Sequence, residues 1–119
     1  MENIKIFDAE YRFMRLIWEK EPVNSTELVK ICRDEFGWKK STTYTVIRRL
    51  SERGALKNDR ATVTALVSEL QVQKFESEQI LEKSFGNSLP SFITAFLQDK
   101  KLTKDEAEQI KMMIEEATK

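Results

Sequence analysis

The stretch Lys39-Lys40-Ser41-Thr42-Thr43-Tyr44-Thr45-Val46-Ile47-Arg48-Arg49-Leu50 gathers hydroxyls, ammonium groups and guanidinium groups around a few apolar residues. Such groups suit hydrogen bonding to phosphate oxygens and base edges, and Tyr44 adds a flat apolar surface for van der Waals contact. Projected as a helix, Thr43, Val46, Ile47 and Leu50 fall at i, i+3, i+4 and i+7 and form the inward face. The opposite arc holds Ser41, Tyr44, Thr45 and Arg48, with Thr42 and Arg49 at its edge. Lys39 and Lys40 precede it, and Lys57 and Arg60 follow. A helix facing only water would more often mix both charges in i,i+4 pairs, whereas here Glu52 is the one acid. Arg49 has two uses open to it, a phosphate contact or a structural salt bridge at the helix edge.

Bond-making chemistry has little to work with. The chain has no histidine, hence neither the commonest general base nor the commonest metal ligand. Cys32 is the single cysteine, so one chain can build neither a disulfide nor a cysteine-rich metal site. With Leu28 and Ile31 on one helical face, Cys32 reads as a small buried hydrophobe. There is no nucleophile–base pair, no Gly-rich phosphate loop and no metal-ligand spacing, so an enzyme is not expected, nor a cofactor.

The 119 residues carry 20 basic and 20 acidic side chains, a net charge of zero that conceals an asymmetry. Residues 1–67 hold 13 Lys/Arg and 10 Asp/Glu, a net of +3, and residues 68–119 hold 7 and 10, a net of −3. Between 38 and 60 the ratio is seven basic to two acidic, enough for a local surface that meets phosphates. No apolar run approaches the ~20 residues of a membrane span, and the N-terminus lacks a signal-peptide pattern. A cytoplasmic protein without a membrane partner is expected.

The elements that must position these groups can be read from caps and breakers. Asp8 is expected to cap a first helix whose inner face begins at Ala9 and continues through Phe13, Leu16 and Ile17, widened by Met14 and Trp18. Pro22 ends it. Asn24 and Glu27 form a capping-box pattern for a second helix running to about Phe36, with Gly37 in the left-handed position after it. The third helix opens near Ser41 and closes before Gly54. Residues 55–67 predict a small β-hairpin with a turn at Asn58-Asp59 and with Lys57 and Arg60 near its tip. Helix, helix, helix and hairpin is the order of a winged helix-turn-helix, whose third helix enters the major groove.

From Ser68 the chain predicts helices with an acidic excess, the first loosely patterned. Ser88 caps a short helix with Pro90 in its first turn and a dense stripe of Leu89, Phe92, Ile93, Phe96 and Leu97. Thr103 and Glu106 box the start of a last helix carrying Ala107, Ile110, Met113, Ile114 and Ala117. A tail of roughly 50 residues with such faces is marginal alone. The expected partner is the same tail of a second chain, with folding back on the head as the alternative. The division expected is a DNA-binding head at 1–67 and a helical dimerisation tail at 68–119, in a mainly α chain. The interface residues are then Leu89, Phe92, Ile93, Phe96, Leu97, Ile110, Met113 and Ile114.

Several of these residues together resemble the penicillinase-repressor family, the BlaI/MecI/CopY type. Ala9, Glu10, Tyr11, Met14 and Trp18 match its first-helix pattern, and Trp38, Thr42, Thr45, Arg49, Leu50, Arg53 and Gly54 its recognition segment. Leu66-Val67-Ser68-Glu69 and the 102–114 segment match the tail. The resemblance implies a homodimeric repressor on a double-stranded inverted-repeat operator. It also implies a regulatory protease: β-lactam-responsive members are cleaved at an Asn-Phe bond, at whose place Ala95-Phe96 stands, the Phe kept and the Asn replaced. The copper-responsive branch carries cysteines in its tail, and this tail has none. The wing is shorter than the family's and lacks its usual Gly and Tyr, and Lys39 stands where Ser is usual. The competing expectation is a winged-helix module that binds an acidic protein rather than specific DNA.

Overall fold

A computed structural model describes residues 4–119. Helices α1 (Asp8–Lys20) and α2 (Ser25–Phe36) are joined by a two-residue strand, β1 (Val23–Asn24), and α3 (Lys40–Glu52) is followed by β2 (Leu56–Asp59) and β3 (Thr62–Ala65). Helices α4 (Glu69–Phe85), α5 (Leu89–Phe96) and α6 (Lys104–Ala117) complete the chain. The sheet is antiparallel with strand order β1-β3-β2, so the hairpin is anchored to the α1–α2 connection. This is a mainly helical winged helix-turn-helix followed by a helical tail. Two compact units result, one ending at Gln79 and one spanning Ile80–Lys119.

The core of the first unit comes from every element the sequence pattern assigned to it. Phe13, Met14, Leu16 and Ile17 of α1, Leu28 and Cys32 of α2, and Val46, Ile47 and Leu50 of α3 are buried, joined by Leu56 and Val63 of the hairpin. Ile4 and Ile6 enter the same core from the segment before α1. The helix α1 differs from expectation at its start. Phe7 occupies the cap position, Asp8 is the first helical residue, and the Glu10 carboxylate accepts from the Phe7 N–H at 3.0 Å. Ala9 is exposed and Glu10 is buried in its stead. Glu10 tolerates burial because Arg53, at the end of α3, donates to its carboxylate.

Asn24 caps α2 by accepting from the Thr26 N–H at 2.8 Å. Its other end closes at Gly37, whose φ of 69° is left-handed. There the Gly37 and Trp38 N–H groups donate to the carbonyls of Arg33 and Cys32, at 3.1 and 3.3 Å. No atom lies within 4 Å of a Cβ built at Gly37, so the glycine answers to backbone conformation and not to crowding.

The hairpin turn is not where the sequence placed it. Asn58 and Asp59 belong to β2, Asp59 pairs with Thr62, and the two-residue turn is Arg60-Ala61, with φ of 52° and 69°. Positive φ at both central residues is the type I′ form that suits the twist of a two-residue hairpin. The register holds it there: Leu56 and Val63 must point into the core, Val63 pairs with Val23, and the Ala61 carbonyl accepts from the Ser25 N–H at 2.8 Å. The strand β1, two residues long, is too short to leave a periodic trace.

Each tail helix opens on a capping motif. Ser68 and Gln71 bond reciprocally at the start of α4, with N···O distances of 2.8 and 3.1 Å. Ser88 accepts from the Ser91 N–H at 3.1 Å, with Pro90 in the first turn of α5. Thr103 and Glu106 form the expected box at α6, the Glu106 N–H donating to the Thr103 hydroxyl at 3.1 Å.

Candidate nucleic-acid interface

The helix α3 is held from three sides before any of its outer residues is considered. Thr43, Val46, Ile47 and Leu50 are all buried. Trp38, in the short link from α2, stacks on Phe13 of α1 at 6.0 Å between ring centroids and leans on Phe36 at 5.1 Å. At the C-terminal end, Arg53 bonds Glu10, donates to the Lys5 carbonyl at 3.0 Å and sits 5.5 Å from the Phe7 ring centroid. A rigid helix presenting few, defined side chains is what groove reading requires.

Outward from that base, Ser41, Thr42, Tyr44, Arg48 and Arg49 are exposed and Thr45 is half-buried. Lys39 is the cap residue of α3 and Lys40 its first helical residue, both exposed. No side chain caps this helix, and its first turn carries no acid. The helix dipole and the two ammonium groups therefore add to one positive end suited to phosphate. Arg48 approaches Glu52 at 4.0 Å with both side chains 67% exposed, a surface pair weak enough to break for a better partner.

Arg60 stands in the hairpin turn and is exposed. Lys57 is exposed too, but it pairs with Thr64, two registers below the turn, and so lies on the flank of the wing rather than near its tip. Among the described residues, the salt bridge at this edge of the helix is made by Arg53. Arg49 instead borders a shallow recess of about 440 Å³ with Phe7, Glu10, Glu52 and Arg53. Sequence reasoning gave Arg53 no role of its own. A trace existed: Glu10 lies three residues before Phe13, on the inward face of α1, where a carboxylate needs a cation.

Cys32 is fully buried, and burial pushes its thiol up to about 11, opposed by a contact from the Thr43 hydroxyl. That fits a small core hydrophobe rather than a reactive group. In the tail, Leu89, Ile93, Phe96, Ile110, Met113 and Ile114 are exposed in the single chain. Phe92 and Leu97 are half-buried, and the Phe92 ring lies between Phe85 and Phe96, at 5.3 and 5.9 Å. Ala95 and Phe96 form the exposed last turn of α5. Among the described residues, no helix is long and apolar enough to cross a membrane.

Comparisons with known proteins converge. The chain is 28% identical to a penicillinase repressor of Bacillus licheniformis, over 94% of this chain and 91% of that protein. It is 24% identical to the methicillin resistance regulatory protein MecI of Staphylococcus aureus, over 95% of each chain. Among solved structures it is similar to B. licheniformis BlaI in monomeric form in complex with the blaP half-operator, with a TM-score of 0.52 and 28% identity over 59% of this chain and 90% of that one. The DNA-binding domain of the repressor BlaI gives the same TM-score and coverage at 31% identity. Family membership rests on the sequence profile described as "Penicillinase repressor", which aligns with residues 6–116. With both head and tail inside that match, this chain belongs to the penicillinase repressor family.

Proposed function

We propose that this protein is a homodimeric, sequence-specific transcriptional repressor that binds an inverted-repeat operator in double-stranded DNA and acts in the cytoplasm. The observation that carries this reading is the outer face of α3: hydroxyls, a tyrosine and arginines on a helix fixed by four buried residues. The similarity to BlaI, solved in complex with a half-operator, supports operator DNA as the partner. Ser41, Thr42, Tyr44, Thr45 and Arg48 read the major groove. Lys39, Lys40, Lys57, Arg60 and Arg49 meet phosphates, which fix position without reading sequence. The head ending near Val67 binds DNA and the tail from Ser68 dimerises, so repression follows when a dimer occupies a promoter and blocks polymerase. A regulatory protease would meet Ala95-Phe96 on the last turn of α5, and cutting there would separate α6 from the head.

The test is a gel shift on the region upstream of the protein's own gene, at ~0.15 M salt with competitor DNA, where charge attraction alone no longer retards a fragment. A specific band lost in Arg48→Ala supports the assignment. No band with wild-type protein favours a module that binds an acidic protein.

A further inference from the structure

Resting on the repressor reading, we infer that Tyr11 and Glu69 form a latch that sets the direction of α4 against the head and thereby the half-site spacing the dimer accepts. The Tyr11 hydroxyl donates to Oε2 of Glu69 at 2.8 Å, 58 residues away in sequence. One helical face along, Trp18 donates from Nε1 to the Val67 carbonyl at 2.9 Å. The two rings touch edge to face, with centroids 5.5 Å apart at 72°. Two directional bonds from one face of α1 thus seize a three-residue stretch, 67–69, at the point where α4 begins.

The latch matters because α4 has little apolar anchorage on the head. Val72 is the one described residue of α4 that is buried in the core, with Phe75 half-buried, and the Gln73 side chain also bonds the Tyr11 hydroxyl. Apolar contact resists separation but permits rotation and tilt, whereas hydrogen bonds of fixed geometry resist both. Burial of Tyr11, and then its bond to Glu69, push the phenol above its usual range against a bond to the Gln73 side chain that lowers it, so the hydroxyl stays a donor. The carboxylate acceptor makes this a charge-assisted bond. From Glu69, α4 runs 17 residues without a break. The part of it within the first compact unit, residues 69–79, is at 1.5 Å per residue a lever of about 16 Å, so a tilt of about 12° at its base moves its end by about 3.4 Å. A base-pair step is about 3.4 Å along the duplex. A loosened latch therefore blurs the spacing by about one base pair while leaving α3 untouched.

The experiment uses the full chain and three duplex probes. The first is the inverted repeat that wild-type protein selects from random-sequence duplex DNA, the second is that repeat with one base pair inserted between half-sites, and the third is a single half-site. Tyr11→Phe keeps the ring against Trp18 and removes only the hydroxyl, while Glu69→Ala removes the acceptor. For each variant, half-site affinity is expected within about twofold of wild type, while preference for the native spacing falls by about threefold or more, the scale of one net hydrogen bond. The double variant should lose no more than Tyr11→Phe alone, because that variant already removes the bond to Glu69. Unchanged spacing preference in both single variants overturns the latch, and so does an equal loss on half-site and whole repeat, which would mark a merely structural bond. If wild-type protein selects no repeat at all, the repressor reading fails first and takes the latch with it, an outcome distinct from either.

Discussion

Arg53 joins three parts of the head through one side chain: the Glu10 carboxylate of α1, the Lys5 carbonyl before it and the Phe7 ring. Its side chain is 30% exposed and that of Glu10 only 10%, so removing the cation strands a nearly buried acid. Arg53→Met is expected to lower stability by about 2 kcal/mol in urea unfolding, below the ~3–5 kcal/mol of a fully buried pair because solvent still reaches the arginine. An unchanged midpoint would show that the pair stabilises nothing. Cys32 gives a second expectation. Its folded-state thiol titrates near 11, above the ordinary value of 9.0 from which burial raises it. The stability linked to this proton is fully present below about 9 and is lost as pH rises through 11. At pH 8 a thiol reagent should label Cys32 only in denaturant; rapid labelling of the native protein would contradict its burial. The outward residues of α3 were legible in the sequence because one helical period sorts Thr43, Val46, Ile47 and Leu50 from their neighbours. The Glu10–Arg53 pair was not, because no periodicity relates residues 43 apart.

Among the elements, the wing deviates most from its local sequence preference. Asn58-Asp59 has the better turn composition, yet both residues sit in β2 and the turn falls on Arg60-Ala61. Three long-range constraints set that register: the inward Leu56 and Val63, the β1–β3 ladder, and the Ser25–Ala61 hydrogen bond. None of them is visible in a five-residue window, which is why the hairpin was legible and its turn was not. The helices fared better where a cap, a stripe and a stop agree, with Gly37 and Thr103 as the clearest signals. The wing's strain is testable. Ala61 holds a φ of 69°, where a Cβ costs about 1 kcal/mol. Ala61→Gly should therefore raise stability by about 0.5–1 kcal/mol, less whatever entropy glycine adds to the unfolded chain. A fall in melting temperature would mean the turn is better suited to alanine than its dihedral implies.

For the molecule as a whole, the decisive fact is how much apolar surface the tail leaves uncovered. Phe96, Met113 and Ile114 are 52%, 62% and 57% exposed in the single chain, beside Leu89, Ile93 and Ile110. Large apolar faces on α5 and α6 are costly in water at roughly 25 cal/mol per Å², and a second copy of the same tail would bury them about a two-fold axis. Two heads joined in this way would address half-sites about one helical turn, roughly 34 Å, apart. Ile110 is the better probe of this than Phe92, whose ring already packs between Phe85 and Phe96 within the tail. Ile110 is 40% exposed in the single chain, so Ile110→Asp places a charge where a subunit interface would lose its apolar contact. The expected result is half the wild-type mass in light scattering and an affinity for the whole repeat reduced to that of a half-site. A mass unchanged by the substitution would remove the tail from the subunit contact. A wild-type protein already at the mass of one chain would remove the dimer, leaving two heads to reach one operator only by meeting on the DNA.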